Sequence, residues 1–109
     1  MARLSTHVLD TARGKPAAGM RVQLYAGEPR TLWKTVWTGE QGRAEVVGDG
    51  LTPGVYELVF SVADYFALPG DGPPFLGDVV VRFGVSDAAG NYHVPLLVSP
   101  YGYSTYLGS

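Results

Sequence analysis

The sequence contains no cysteine, and this absence excludes disulfide bonds, iron–sulfur clusters, thiolate zinc sites and cysteine nucleophiles. A chain without cysteine is consistent with a reducing compartment. The first ten residues, MARLSTHVLD, also lack the apolar segment of a secretory signal peptide. We therefore expect a soluble protein of the cytoplasm.

Charged residues and long apolar runs are scarce as well. Charged residues make up 17% of the chain, and the formal net charge is -2 with a pI near 5.5. There is no basic stripe, so we expect no sequence-independent binding to nucleic acid. No apolar run approaches the roughly 18 residues that a membrane-spanning helix requires, so we expect no membrane segment.

Several common catalytic motifs are missing. The glycine-rich stretches GDG and PGDGPP lack the GxxxxGK[ST] spacing of a phosphate-binding loop. No G-x-S-x-G nucleophile elbow is present. Ser104 and Ser109 have no histidine close to them in the sequence, so a serine triad has no support.

The residues that are present fit one small globular domain. The chain has 109 residues, of which 46% are apolar, and a domain of this size buries something over ~60% of its unfolded surface. We therefore treat residues 1–109 as one domain. Glycine (15) and proline (8) punctuate short runs rich in valine, tyrosine, phenylalanine, tryptophan and threonine. This pattern predicts an all-β sandwich or barrel.

The spacing predicts eight strands and one short helix. The helix covers residues 61–68, because Val62, Tyr65 and Phe66 form one apolar stripe at helical spacing. The predicted strands are residues 4–9, 20–25, 32–38, 44–47, 55–60, 75–85, 92–98 and 103–107.

Two histidines and one arginine are the candidates for chemistry. His7 lies in the first predicted strand and His93 in the seventh, while Arg43 follows a glycine turn. Taken singly, each is more often an ordinary structural or solvated residue. If the first and seventh strands share a sheet, the two imidazoles could poise a water for proton transfer. Arg43 would then bind a planar carbonyl or an anion. Two histidines without nearby carboxylates do not favour a metal site.

Four segments resemble one known family. They are LSTHVLDTARGKPAAGM, TGEQGR, YELVFSVADYFA and YHVPLLVSPYGYSTY. Together they are similar to the 5-hydroxyisourate hydrolases, the transthyretin-like enzymes of urate breakdown. The first and last segments are the specific ones. The order of the segments is kept from Arg3 to Ser109, which is nearly the whole chain.

The resemblance implies a fold and an assembly. The fold is a two-sheet, eight-stranded β-sandwich with one short helix, in agreement with the strand pattern. The assembly is a homotetramer built as a dimer of dimers, with sites in a channel between the dimers. The C-terminal tetrapeptide reaches into that channel. The tyrosine-rich end of the chain would then serve as interface and site wall.

The resemblance also implies an activity. It is hydrolysis of 5-hydroxyisourate, a purine-derived small molecule, to 2-oxo-4-hydroxy-4-carboxy-5-ureidoimidazoline, without metal or organic cofactor. His7, Arg43 and His93 take the catalytic positions of the family. Our hypothesis is that the two histidines orient and deprotonate a water while Arg43 stabilises charge on the substrate's carbonyl oxygens. Which histidine accepts the proton stays open.

The C-terminal tetrapeptide departs from the family pattern at one residue. The family usually ends Y-R-G-S, whereas this chain ends Tyr106-Leu107-Gly108-Ser109. Tyr106, Leu107 and Ser109 are carried over as substrate-binding positions, but Leu107 replaces a substrate-facing arginine. A hydrogen bond from a charged donor is typically worth ~1.5–3 kcal/mol.

The leucine leaves three interpretations open. The enzyme works with a weaker anion clamp, or another cation such as Arg13 or Lys15 compensates, or the chain binds a flat aromatic ligand as a carrier. A purely structural module is a fourth and weaker alternative. The presence of His7, Arg43 and His93 favours the hydrolase.

Overall fold

The structure is a computed structural model that describes residues 2–108. Within these residues the chain forms ten strand segments and one five-residue helix, arranged as two sheets. The strands are β1 (Ala2–Asp10), β2 (Lys15–Pro16), β3 (Arg21–Ala26), β4 (Thr31–Trp37), β5 (Arg43–Leu51), β6 (Gly54–Phe60), β7 (Val79–Val85), β8 (Asn91–His93), β9 (Leu96–Ser99) and β10 (Gly102–Thr105), and the helix is α1 (Val62–Phe66). None of the helices in this described part is long and apolar enough to cross a membrane.

Strand β1 is the centre of the first sheet. Along one edge it pairs antiparallel with β5 and, at its end, with the short β2. Along the other edge it pairs in parallel with β8 and then β9, and β10 pairs antiparallel with β9. The second sheet is antiparallel throughout, in the order β4-β3-β6-β7. The first and last thirds of the chain therefore meet in one sheet.

Alternation along β1 decides which side chains face the core. Leu4, Thr6 and Val8 are buried, whereas the intervening Ser5 and His7 are only partly buried. Successive strand residues point to opposite faces, so one face of β1 packs between the sheets and the other looks outward. The core that this face joins contains large apolar side chains from both sheets, among them Leu24, Leu58, Phe60, Leu96 and Val98.

The predicted fold class is confirmed, and the strand boundaries differ most in four places. The predicted seventh strand is divided by Val94 and Pro95 into β8 and β9, which keep one register against β1. Proline cannot donate to a strand ladder, which accounts for the gap. With β8 and β9 counted together and the two-residue β2 set aside, the described segments correspond to the eight predicted strands.

The other differences lie near glycine and proline. Strand β5 continues through GDG to Leu51, beyond the predicted end at residue 47. Strand β7 begins at Val79, later than the predicted residue 75. Strand β10 ends at Thr105, so Tyr106 and Leu107 lie beyond it. Ser109 lies outside the described residues.

A buried carboxylate holds the loop that follows β1. Asp10 Oδ1 accepts the backbone N–H groups of Ala12 and Arg13, and Oδ2 accepts Arg13 Nη1 at 3.0 Å and the Tyr65 hydroxyl at 2.9 Å. Burial alone would raise the pKa of Asp10, but these hydrogen bonds and the Arg13 charge outweigh it and lower the pKa. Asp10 therefore caps the turn after β1, and its carboxylate also joins β1 to α1.

Candidate active site

His7 and Arg43 are direct neighbours across two antiparallel strands. They form a register pair between β1 and β5, on the face of the sheet that points away from the core. His7 Nε2 lies 2.9 Å from the carbonyl oxygen of Gln41. A carbonyl only accepts hydrogen bonds, so Nε2 carries the proton and Nδ1 is the basic nitrogen of a neutral His7 ring.

The turn before Arg43 depends on Gly42. Its φ is 77°, in the left-handed region, and its carbonyl accepts the N–H of Val8 at 2.8 Å. A Cβ at this position would collide with the carbonyl oxygen of Val8. Glycine therefore lets the turn close tightly on β1, which delivers Arg43 beside His7.

His93 lies across the other edge of β1. It pairs with Ser5 in the parallel register between β1 and β8, and its Nδ1 is 2.9 Å from Ser5 Oγ. Burial lowers the pKa of His93, and electrostatic interactions with Arg43 and with His7 lower it further. His93 is therefore neutral near pH 7 and able to accept a proton.

A groove runs over this face of the sheet. Its volume is about 470 Å³, which is in the range of small-molecule sites. Arg43 and His93 line it, together with Arg3, Ser5 and Tyr92 among others. His7 is not one of the lining residues and lies beside Arg43 rather than in the groove wall.

The groove is electropositive. Among residues 2–108 no carboxylate lies within ion-pair distance of Arg43, so its fork of donors is available. Arg3 is 3.8 Å from Glu45 across the same groove. Two guanidinium groups and one carboxylate leave a net positive charge that suits carbonyl oxygens or an anion.

The C-terminal segment touches His93 through Gly108. The Gly108 N–H donates to the His93 carbonyl at 2.7 Å, forming an isolated antiparallel bridge. Tyr106 and Leu107 are 58% and 71% exposed and line a separate groove of about 260 Å³. Tyr92 lines both grooves. Within one chain, the tail therefore reaches the candidate site at Gly108, while its two larger side chains lie in the neighbouring groove.

The proposed compensating cations are not in the groove. Arg13 is bound to Asp10 and packs over the rings of Tyr65 and Phe66. Lys15 lies opposite Asp10 in the backbone register of β1 and β2, at the far end of β1, and it does not line the groove. Arg3 is the second cation that the groove contains, and the interpretation from the sequence missed it. Its four-residue spacing from His7, which places both residues on the outward face of β1, was the available signal.

Within the described range, no group of three or more histidine, aspartate or glutamate side chains is arranged to hold a metal ion. The two histidines instead lie close to an arginine, whose positive charge opposes a cation. The chemistry that this donor set supports is proton transfer beside a stabilised oxyanion.

Comparisons with known proteins show the family and agree with the fold. A sequence model of the HIUase/Transthyretin family matches residues 4–108. The 5-hydroxyisourate hydrolase 2 of Rhizobium meliloti (strain 1021) is 52% identical over 98% of this chain and 96% of its own length. The solved 5-hydroxyisourate hydrolase of Klebsiella pneumoniae is 31% identical, with a TM-score of 0.86 and full coverage of both chains (100% each). Transthyretin from Sparus aurata, at 24% identity, has the same fold with a TM-score of 0.83 and covers 96% of this chain and 95% of its own.

Proposed function

This chain belongs to the HIUase/Transthyretin family, and we propose that it hydrolyses 5-hydroxyisourate at the groove that Arg43 and His93 line. The enzyme is a 5-hydroxyisourate hydrolase of purine degradation. One observation carries the assignment of the site. His7, Arg43 and His93 come from three adjacent strands onto the outward face of one sheet, in a chain whose relatives are hydrolases.

The reaction adds water across a ring amide. Water attacks a lactam carbonyl carbon, the carbon–nitrogen bond breaks, and the carbon becomes the carboxylate of 2-oxo-4-hydroxy-4-carboxy-5-ureidoimidazoline. The freed nitrogen becomes part of the ureido group and takes one proton of the water, and the other proton is released when the new carboxylic acid ionises. The site must therefore take a proton from water and return one to nitrogen.

His93 is the proposed general base. Its lowered pKa keeps the ring neutral at physiological pH, so one nitrogen can accept the proton of the attacking water. The imidazolium that forms then donates to the departing nitrogen. Arg43, free of carboxylate partners among residues 2–108, binds the carbonyl oxygen and stabilises its negative charge in the transition state.

His7 is proposed to assist from beside Arg43. Its Nε2 is fixed by the Gln41 carbonyl, which leaves Nδ1 as an acceptor that can orient the water or the ring N–H of the substrate. Arg3 is the second cation of the groove and would bind an oxygen at the far side of the substrate. No metal or organic cofactor is needed for any of these steps.

The working unit is proposed to be a homotetramer, a dimer of dimers. Support comes from the C-terminal aromatic and apolar side chains that a single chain leaves exposed, which are Tyr101, Tyr103, Tyr106 and Leu107. Such residues are enriched in interfaces. In the tetramer, Tyr106, Leu107 and Ser109 would contact substrate in the channel between dimers. We also propose that the enzyme works in the cytoplasm.

The carrier alternative rests on Leu107 alone. A carrier of a flat aromatic ligand has no use for two histidines and an arginine on one sheet face, and the hydrolase explains all three. The test is the decay of freshly generated 5-hydroxyisourate, followed by ultraviolet absorbance with and without the protein. Faster decay with the protein supports the hydrolase. Saturable binding of a flat aromatic ligand, without faster decay of 5-hydroxyisourate, would instead support the carrier.

A further inference from the structure

Among residues 2–108, Ser5 is the only side chain that makes a hydrogen bond to the ring of His93. The two residues are 88 positions apart in the chain, and the parallel pairing of β1 with β8 sets them opposite each other. Their side chains therefore meet on the outward face of the sheet, where Ser5 Oγ lies 2.9 Å from His93 Nδ1. Among residues 2–108 the other ring nitrogen, Nε2, has no hydrogen-bond partner.

The direction of this hydrogen bond decides what His93 can do. If Ser5 donates to Nδ1, the neutral ring must carry its proton on Nε2, and no lone pair is left for a substrate water. If Ser5 accepts from Nδ1–H, the lone pair of Nε2 is free. The second arrangement also survives catalysis, because an imidazolium still donates from Nδ1 after Nε2 has taken a proton.

The charged groups around His93 make this hydrogen bond important. Arg43 on β5 and His7 on β1 both disfavour a positive ring. Arg3 on β1 and Glu45 on β5 form a pair in the same groove. A neutral acceptor at Nδ1 is therefore the nearest group that stabilises the imidazolium formed when His93 takes up a proton.

We propose that Ser5 is a positioning residue of this enzyme, whose Oγ accepts the Nδ1–H of His93 and so keeps Nε2 unprotonated toward the substrate. The inference deepens the proposed function, since it names the residue that prepares the general base. Ser5 acts through His93 and need not touch the substrate itself.

The experiment uses the fact that the chain has only two histidines. Long-range nitrogen–proton NMR of the labelled protein distinguishes the Nδ1–H from the Nε2–H form of each ring, and His7→Gln assigns the two sets of signals. The spectra and the pH dependence of kcat/KM are recorded for the parent and for Ser5→Ala and Ser5→Thr. Thr35→Ala is the matched control, since it removes a hydroxyl from an exposed residue of β4, in the sheet that does not contain His93.

The parent and Ser5→Thr should show His93 as the Nδ1–H form. Ser5→Ala should give a mixture of the two forms and a kcat/KM reduced several-fold to about ten-fold. Its loss of an acceptor lowers the pKa of His93 further, so the acidic limb of the profile moves to lower pH. Thr35→Ala should match the parent in every readout.

Two results would overturn the proposal. One is an Nε2–H form of His93 in the parent. The other is an acidic limb of the kcat/KM profile that stays in place or moves to higher pH in Ser5→Ala. Such a result would mean that Ser5 donates to His93 or has no effect on its protonation. Failure of the proposed function is seen separately, because the NMR signals report the tautomer even in a protein that does not hydrolyse 5-hydroxyisourate.

Discussion

Gly108 lies directly against the ring of His93. Besides the 2.7 Å bond between their backbones, a Cβ placed on Gly108 would be 2.7 Å from His93 Cδ2 and 3.3 Å from Cγ. Any side chain at position 108 must therefore displace the ring. The C-terminal glycine is explained by this contact, which is independent of the tail's larger side chains.

Gly108→Ala should lower kcat/KM by roughly ten-fold or more, because small misplacements of a catalytic group are costly. Gly102→Ala is the control, since a Cβ at Gly102 has no neighbour within 4 Å. Both variants should keep the parent's melting temperature within a few degrees. Equal activity in the two alanine variants would contradict the role given to Gly108.

Arg43→Gln should lower kcat/KM by roughly ten- to over a hundred-fold, the effect of losing about 1.5–3 kcal/mol of charged hydrogen bonding in the transition state. Removing this positive charge also raises the pKa of His93 toward its ordinary value. A base works only when unprotonated, so the acidic limb of the pH profile should move to higher pH. Lys34→Gln, which removes an exposed cation of β4 in the other sheet, is the control. If the acidic limb of the pH profile stayed in place in Arg43→Gln, Arg43 would not influence the pKa of the catalytic base.

Leu107→Arg should raise kcat/KM by up to about ten-fold, because it adds a third cation beside a site that binds carbonyl oxygens. Leu107 is 71% exposed, so folding should be unaffected. Leu107→Gln, of similar length and without charge, separates the effect of charge from that of polarity. A lower rate in Leu107→Arg with an unchanged rate in Leu107→Gln would count against an electropositive site.

Asp10→Asn should lower the free energy of unfolding by about 1–3 kcal/mol, since a fully buried acceptor of several hydrogen bonds loses its charge. The folded-state pKa of Asp10 lies below its ordinary value of 3.8. The ionised Asp10 therefore stabilises the folded state above pH 3.8, and this contribution is lost as the pH falls through the lower folded-state pKa. Denaturant unfolding at pH 7 and pH 3 measures both effects. Asp64→Asn, an exposed carboxylate, should change little at either pH.

The fold was largely predictable because its signals are local. Alternation in β1 gives the buried face, and glycine and proline mark most turns. The divided strand at Pro95 and the long β5 could not be predicted reliably, because strand ends depend on the partner strand and not on one segment's pattern. The pairing of each strand with its neighbours in the sheet determines where these strands end.

The site was predictable only in its residue types. His7, Arg43 and His93 were named from the sequence, but their common face depends on β1 pairing with both β5 and β8. Ser5 was missed because its contact with His93 depends on the pairing of β1 with a strand 88 positions further along the chain. No pattern within the first strand carries that information.

The most direct test of the catalytic site is His93→Gln, compared with the parent in the decay of freshly generated 5-hydroxyisourate at pH 7. Glutamine keeps a polar side chain of similar reach but cannot act as a base. If His93 is the general base, the variant retains the fold and oligomeric state of the parent, and its acceleration of the decay falls at least a hundred-fold. Undiminished acceleration by a folded His93→Gln protein would contradict the account, because the groove beside Arg43 would then not be where the reaction occurs.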